Sequence, residues 1–205
     1  MRPTRVPTLL TMAALLTGGC QGGGPEADST GASTSRGGDS ERDCGVGPGD
    51  VQIAAGLGVL RIGTIADHVR ERCEIVRDTT VLDSEGMAAR ELVISLGADT
   101  AVAEVQSDSV WRLRLTSRRF RTGAGLGIGS SVSDLAANAG ARALVGEGEI
   151  YVTVPATCGV SYRIAEADFG RVASAPSAER AMALLPDTAR VDLLLVVGCG
   201  NQPGS

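Results

Sequence analysis

Lysine is absent, and every basic residue in the 205-residue chain is arginine. Schiff-base chemistry and the lysine of a phosphate-binding loop are therefore excluded. Histidine occurs once, as His68, so a catalytic triad or a Cys/His zinc site would rest on a single imidazole. Aromatic residues are almost as scarce, with one Trp, two Tyr and two Phe. That scarcity counts against a carbohydrate-stacking cleft and against a platform for single-stranded nucleic acid. The formal charge of −5 points the same way, because an acidic surface repels a polyanion. Nucleic acid is not an expected partner.

What is present begins at the N-terminus. Arg2 and Arg5 precede an apolar run, residues 6–16, that is too short to span a bilayer, and the small residues Thr17-Gly18-Gly19 lead into Cys20. This layout resembles the export signal of a bacterial lipoprotein, with residues 1–19 as signal peptide. The resemblance implies lipidation at Cys20 and a membrane anchor through that lipid. The implied location is the cell envelope, at the outer membrane or the periplasmic face if the cell has two membranes. Residues 20–43 are rich in Gly, Ser, Thr, Asp and Glu. Such a segment cannot bury enough surface to offset the entropy of ordering it, so a disordered tether is expected. One domain is expected over residues 44–201, with a disordered tail over 202–205.

Four further cysteines, Cys44, Cys73, Cys158 and Cys199, show no CxxC spacing. In an oxidising compartment they read as two disulfides and not as a metal site. Three connectivities are open; Cys44–Cys73 with Cys158–Cys199 is favoured, since each pair would staple one half of the domain. No metal or cofactor is expected.

Two stretches are alike. Arg61-Ile62-Gly63-Thr64-Ile65-Ala66-Asp67-His68-Val69 aligns with Gly127-Ile128-Gly129-Ser130-Ser131-Val132-Ser133-Asp134-Leu135. In each, the glycine can turn the chain, and Thr64 or Ser130/Ser131 can cap a short amphipathic helix, with Asp67 or Asp134 near capping-box spacing. Strand-like sequence runs near 79–82, 91–96, 101–106 and 109–116, with a hairpin across Ser107-Asp108, and again near 149–154 and 159–164; a last strand near 190–197 is apolar on both faces and is expected within the sheet. A helix is expected over 178–185, ended by Pro186. The expected fold is α+β: two tandem helix-plus-antiparallel-strand units, residues 51–121 and 122–199, with short helices packed on one face of antiparallel sheet. The Ile-Gly-[Ser/Thr] turn leading into a capped helix and a meander resembles the β-lactamase-inhibitor-protein fold and the small outer-membrane lipoproteins that assist barrel assembly.

Candidate functional residues are few. His68 lies off the Ile65/Val69/Cys73 stripe and reads as a surface residue. The glycine run from Gly123 to Gly129 fails the spacing of a dinucleotide fingerprint and lacks a P-loop lysine, so it reads as a site of close packing. Arg112, Arg114, Arg118, Arg119 and Arg121 form the one cationic run and a possible binding patch, with pairing to Glu91, Glu104 or Glu149 as its structural explanation. No catalytic constellation stands out. The expected function is a non-enzymatic protein-binding or scaffold domain that contacts another envelope protein. The alternatives are an inhibitor of a secreted or envelope enzyme, suggested by the fold resemblance, and an envelope hydrolase built from scattered acids.

Overall fold

The computed structural model describes residues 44–47, 51–53, 56–82, 86–165 and 167–199. The signal peptide, Cys20, the whole segment assigned as tether and the tail over 202–205 lie outside the described residues. Eight strands form one antiparallel sheet: β4 (Ile75–Leu82), β5 (Ala88–Leu96), β6 (Asp99–Gln106), β7 (Ser109–Leu115), β9 (Arg142–Gly146), β10 (Glu149–Thr153), β11 (Val160–Ile164) and β12 (Val191–Val196). Their order is β4-β5-β6-β7-β12-β11-β10-β9. Two small pairs accompany the sheet. One is parallel, between β1 (Val51–Ile53) and β8 (Phe120–Thr122); the other joins β2 (Gly56–Leu57) to β3 (Leu60–Arg61).

Register explains the two faces of the sheet. Directly paired residues share a face, and the row Ile75, Ile94, Ala101, Leu115, Leu194, Tyr162, Val152, Ala143 crosses all eight strands. Apart from Ile75, every member is buried. This face builds the core together with Val69 of α1 (Ala66–Arg72), Val132 and Leu135 of α2 (Val132–Ala136), Val172 of α3 (Phe169–Ala173) and Ala181 of α4 (Ala178–Ala183). The neighbouring row, Arg77, Val93, Val102, Arg114, Leu195, Ser161, Thr153, Arg142, mixes charged and apolar residues on the opposite face.

The expected α+β arrangement of two tandem helix-plus-strand units is not what forms. The molecule is mostly β, and among the described residues the α-helices are only five to seven residues long. The physical reason lies in β12, which inserts between β7 and β11 and fuses the strands of both sequence halves into one sheet. The β1–β8 pair spans the chain between residues 51 and 122 in the same long-range way.

The two similar turns do share a local device. Gly63 and Gly129 both adopt positive φ, 88° and 86°, which a side chain would strain. Each turn then docks its backbone on a central strand: Gly63 N donates to Val110 O at 2.6 Å, and Gly129 N to Val191 O at 2.8 Å. Ser131 caps α2 with a full capping box to Asp134. Thr64 does not cap α1. Its hydroxyl donates instead to Val59 O at 3.2 Å, and Ile65 takes the cap position with no side-chain bond.

Cys44 pairs with Cys73 and Cys158 with Cys199, at Cα separations of 4.7 and 5.0 Å. Both separations suit a disulfide. The first bond lies in the core at the end of α1; the second ties the start of β11 to the chain beyond β12.

Candidate functional site

The helices pack on the core face, and the other face carries a ladder of fixed charges. Alternation places Glu91 of β5 beside Glu104 of β6, and Glu104 beside Arg112 of β7. Two like charges side by side would repel. Arginines relieve them: Arg114 bonds Glu91 and approaches Glu104 at 3.2 Å, and Arg112 Nε bonds the other oxygen of Glu104. Arg112 Nη1 also reaches Glu147 at 2.8 Å. Glu147 belongs to the β9–β10 turn, which joins the third and fourth strands from β7 in the sheet order. A contact between β7 and that turn requires the sheet to coil about this face, which is therefore concave. Beyond β12 a second ion group repeats the theme, with Arg163 donating to Asp192 through two nitrogens at 2.9 and 2.8 Å and to Glu149 at 2.6 Å.

Leu193 and Leu195 are buried but stand outside the core cluster. Register sets Leu195 opposite Arg114 and Leu193 opposite Arg163. Aliphatic arginine stems can cover such leucines while the charged heads bond carboxylates.

Between the β9–β10 turn and the β4–β7 half of the sheet lies a groove of about 440 Å³. Its floor is Glu91, Glu104, Arg112 and Arg114, and its far wall is Glu147 and Glu149. Its near wall is apolar, made by Val81, Leu82, Met87, Ala89 and Trp111. Leu82 and Met87 are 74% and 59% exposed. Arg112 lies over the Trp111 ring at 4.5 Å and steadies it by a cation–π contact.

The electrostatics follow from burial. Burial pushes the Glu104 carboxyl above its usual range, against the pull of Arg112 and Arg114. Burial also raises the Tyr151 phenol, helped by its hydrogen bond to Glu149. On the other layer, Arg90 and Arg70 hold the Asp78 carboxyl below its usual range, with partial burial opposing them.

The residues singled out from sequence fall in different places. Arg112 and Arg114 line the groove. Arg119 is a structural tie in the β7–β8 connection, donating to Gly47 O at 2.8 Å and Leu96 O at 2.7 Å and pairing with Asp99 at 2.6 Å. Arg121 donates to Gly125 O at 3.0 Å, and Arg118 is exposed near Gly129. The five arginines therefore do not make one patch. Glu149, considered as a partner for that run, pairs with Arg163. His68 is exposed on α1, 3.9 Å from Glu71 and on the layer opposite the groove. Gly127 explains part of the glycine run, because a Cβ there would collide with the Phe120 carbonyl. Among the described residues no group of three His, Cys, Asp or Glu side chains is placed to hold a metal, and no helix is long and apolar enough to cross a membrane.

Sequence reasoning missed Glu147, Trp111 and Met87 as members of one site. The available signal was Gly146-Glu147-Gly148 between two alternating runs, which marks a hairpin tip carrying a charge.

This architecture, one coiled antiparallel sheet with helices on one face and a charged concave face on the other, defines a class of fold and not an activity. The chain is similar in structure to the uncharacterized protein yfeY from Escherichia coli, with a TM-score of 0.53 and 15% sequence identity. The likeness covers 72% of this chain and 99% of that one, and it bears on the fold alone. No protein-family model matches the sequence, and no curated protein matches it.

Proposed function

We propose that the chain is an envelope lipoprotein, anchored through Cys20, whose domain is a non-enzymatic protein-binding or scaffold module working through the concave face of its sheet. The observation that carries this reading is the pairing of exposed Leu82 and Met87 with Trp111 beside a ring of already bonded charges. Apolar and aromatic anchors rimmed by polar groups have the make-up of a protein interface. The arginines and carboxylates of the floor bond one another, so the surface is organised before a partner arrives and little order has to be imposed on binding.

Site-specific photocrosslinking in cells tests the proposal, with a photoreactive side chain at Leu82 and a control at Glu71 on α1. The expected result is a discrete adduct from Leu82 alone, recovered with the membrane fraction and displaced from it by Cys20→Ser. Equal adducts from both positions, or none from Leu82, would overturn the docking reading. A wild-type protein recovered in the soluble fraction would overturn the anchor.

A further inference from the structure

The charges of the groove do not balance. Four carboxylates, Glu91, Glu104, Glu147 and Glu149, face two guanidinium groups, Arg112 and Arg114. Adding the next ion group brings Arg163 but also Asp192, so the negative excess remains. Glu104 is 2% exposed, and its Oε1 accepts no hydrogen bond: the 3.2 Å approach of Arg114 Nε is an ionic contact without hydrogen-bond alignment. That oxygen is closed off from a ligand, but its incompletely bonded charge adds to the negative potential of the groove. Trp111 forms the adjoining wall with the apolar Leu82 and Met87. Carboxylates beside apolar contacts suit a group with a cationic head on an aliphatic stem.

Resting on the docking reading above, we propose that the groove receives an arginine or lysine side chain of the partner polypeptide. The cationic head meets the Glu147 and Glu149 wall, where the negative excess lies, and a neighbouring apolar residue of the partner packs on Leu82 and Met87. The volume of about 440 Å³ admits one long side chain with its flanking backbone and is far smaller than a folded partner. Selection thus rests on charge as well as shape: an acidic residue in the same position would face the unbalanced carboxylates.

Trp111 is the single tryptophan of the chain, so its emission reports on this groove alone. The test is fluorescence titration of the wild-type protein with a capped Ser-Leu-Arg-Ser-Leu-Arg-Ser peptide, its citrulline counterpart and agmatine. The arginine peptide should shift the Trp111 emission saturably, and the citrulline peptide should bind about tenfold more weakly, the loss expected for one charge-assisted contact. Glu147→Gln should weaken the arginine peptide by a similar factor; this half-exposed residue is chosen because its amide still accepts from Arg112. Equal binding of the citrulline peptide, indifference to Glu147→Gln, or no saturable shift would overturn the proposal. Agmatine binding as tightly as the peptide would also overturn it, by assigning the groove to small amines. A Leu82 adduct that persists in any of these cases keeps the docking reading and removes only the cation. Its absence alongside charge-selective peptide binding removes the docking reading instead.

Discussion

Glu104 shows how a single residue ties the stability of the sheet to the chemistry of its open face. It sits between two arginines at 2% exposure, and burial raises its carboxyl although both arginines oppose the shift. Burial works against the Arg112 charge as well, but the bonds it donates to Glu147 and Glu104 outweigh that and hold the guanidinium above its ordinary range. Removing Glu104 leaves the mostly buried Arg112 with only the half-exposed Glu147 as counter-charge, whereas replacing both Glu104 and Arg112 by apolar residues of similar volume is far milder. Glu104→Leu should therefore lower the unfolding free energy by about 3 kcal/mol, and Glu104→Leu with Arg112→Leu should lower it by less than the single substitution. Urea unfolding of the three proteins gives the comparison, and a double variant less stable than the single would refute the argument. Asp78 acts with the opposite sign on the other layer. Its carboxyl is lowered by Arg90 and Arg70, so its contribution is complete above the unfolded carboxyl range and fades as the pH falls through the folded one.

Among the elements, the β6–β7 hairpin places the groove floor, since it carries Glu104 on one arm and Arg112 and Arg114 on the other. Its two-residue turn has Ser107 at φ 49° and Asp108 at φ 61°, the left-handed pair of a type I′ turn. Asn-Gly is the favoured pair for that turn, and a residue with Cβ, Ser more than Asp, is strained there. Ser107→Asn with Asp108→Gly should stabilise the protein by about 1 kcal/mol, because the bond from Ala66 N to Asp108 O uses only backbone and is kept. Thermal unfolding checks this, and an unchanged or lower midpoint would show that the turn is not strained. The hairpin was legible from sequence, as were β5, β10, β11 and β12, because each alternates or runs apolar over at least five residues. β9 and α3 were not: β9 is short and ends in the glycines of its turn, and α3 is a five-residue helix in an Ala-rich connection. The site was legible in part. Alternation put Arg112 and Arg114 on one strand face with Glu91, Glu104 or Glu149 as partners, of which the first two pair with them, but the approach of Glu147 depends on how far the sheet coils, which no local period encodes.

The molecule as a whole depends on its last strand. β12 pairs with β7 on one side and β11 on the other, and it supplies Leu194 and Val196, both fully buried, to the core. The turn before α2 also rests on it and on the residues just before it, through bonds from Gly129 N to Val191 O and from Val132 N to Ala189 O, both 2.8 Å. Without β12, β7 and β11 would become facing edges with unpaired backbone groups and exposed apolar rows. Long-range closure by a C-terminal strand also delays completion of the sheet until the whole chain is present. A chain ending at Ala189 should therefore lose cooperative unfolding and not merely stability. Such a chain also lacks Cys199, so the control is full-length protein with Cys158→Ala and Cys199→Ala. That control should stay cooperative with stability reduced by about 3 kcal/mol, the usual effect of removing one disulfide. Circular dichroism across a urea gradient separates the two outcomes. A truncated chain with a sharp transition near that of the full-length protein would mean that the β4–β7 half is a folding unit by itself, and that β12 only extends a sheet already complete.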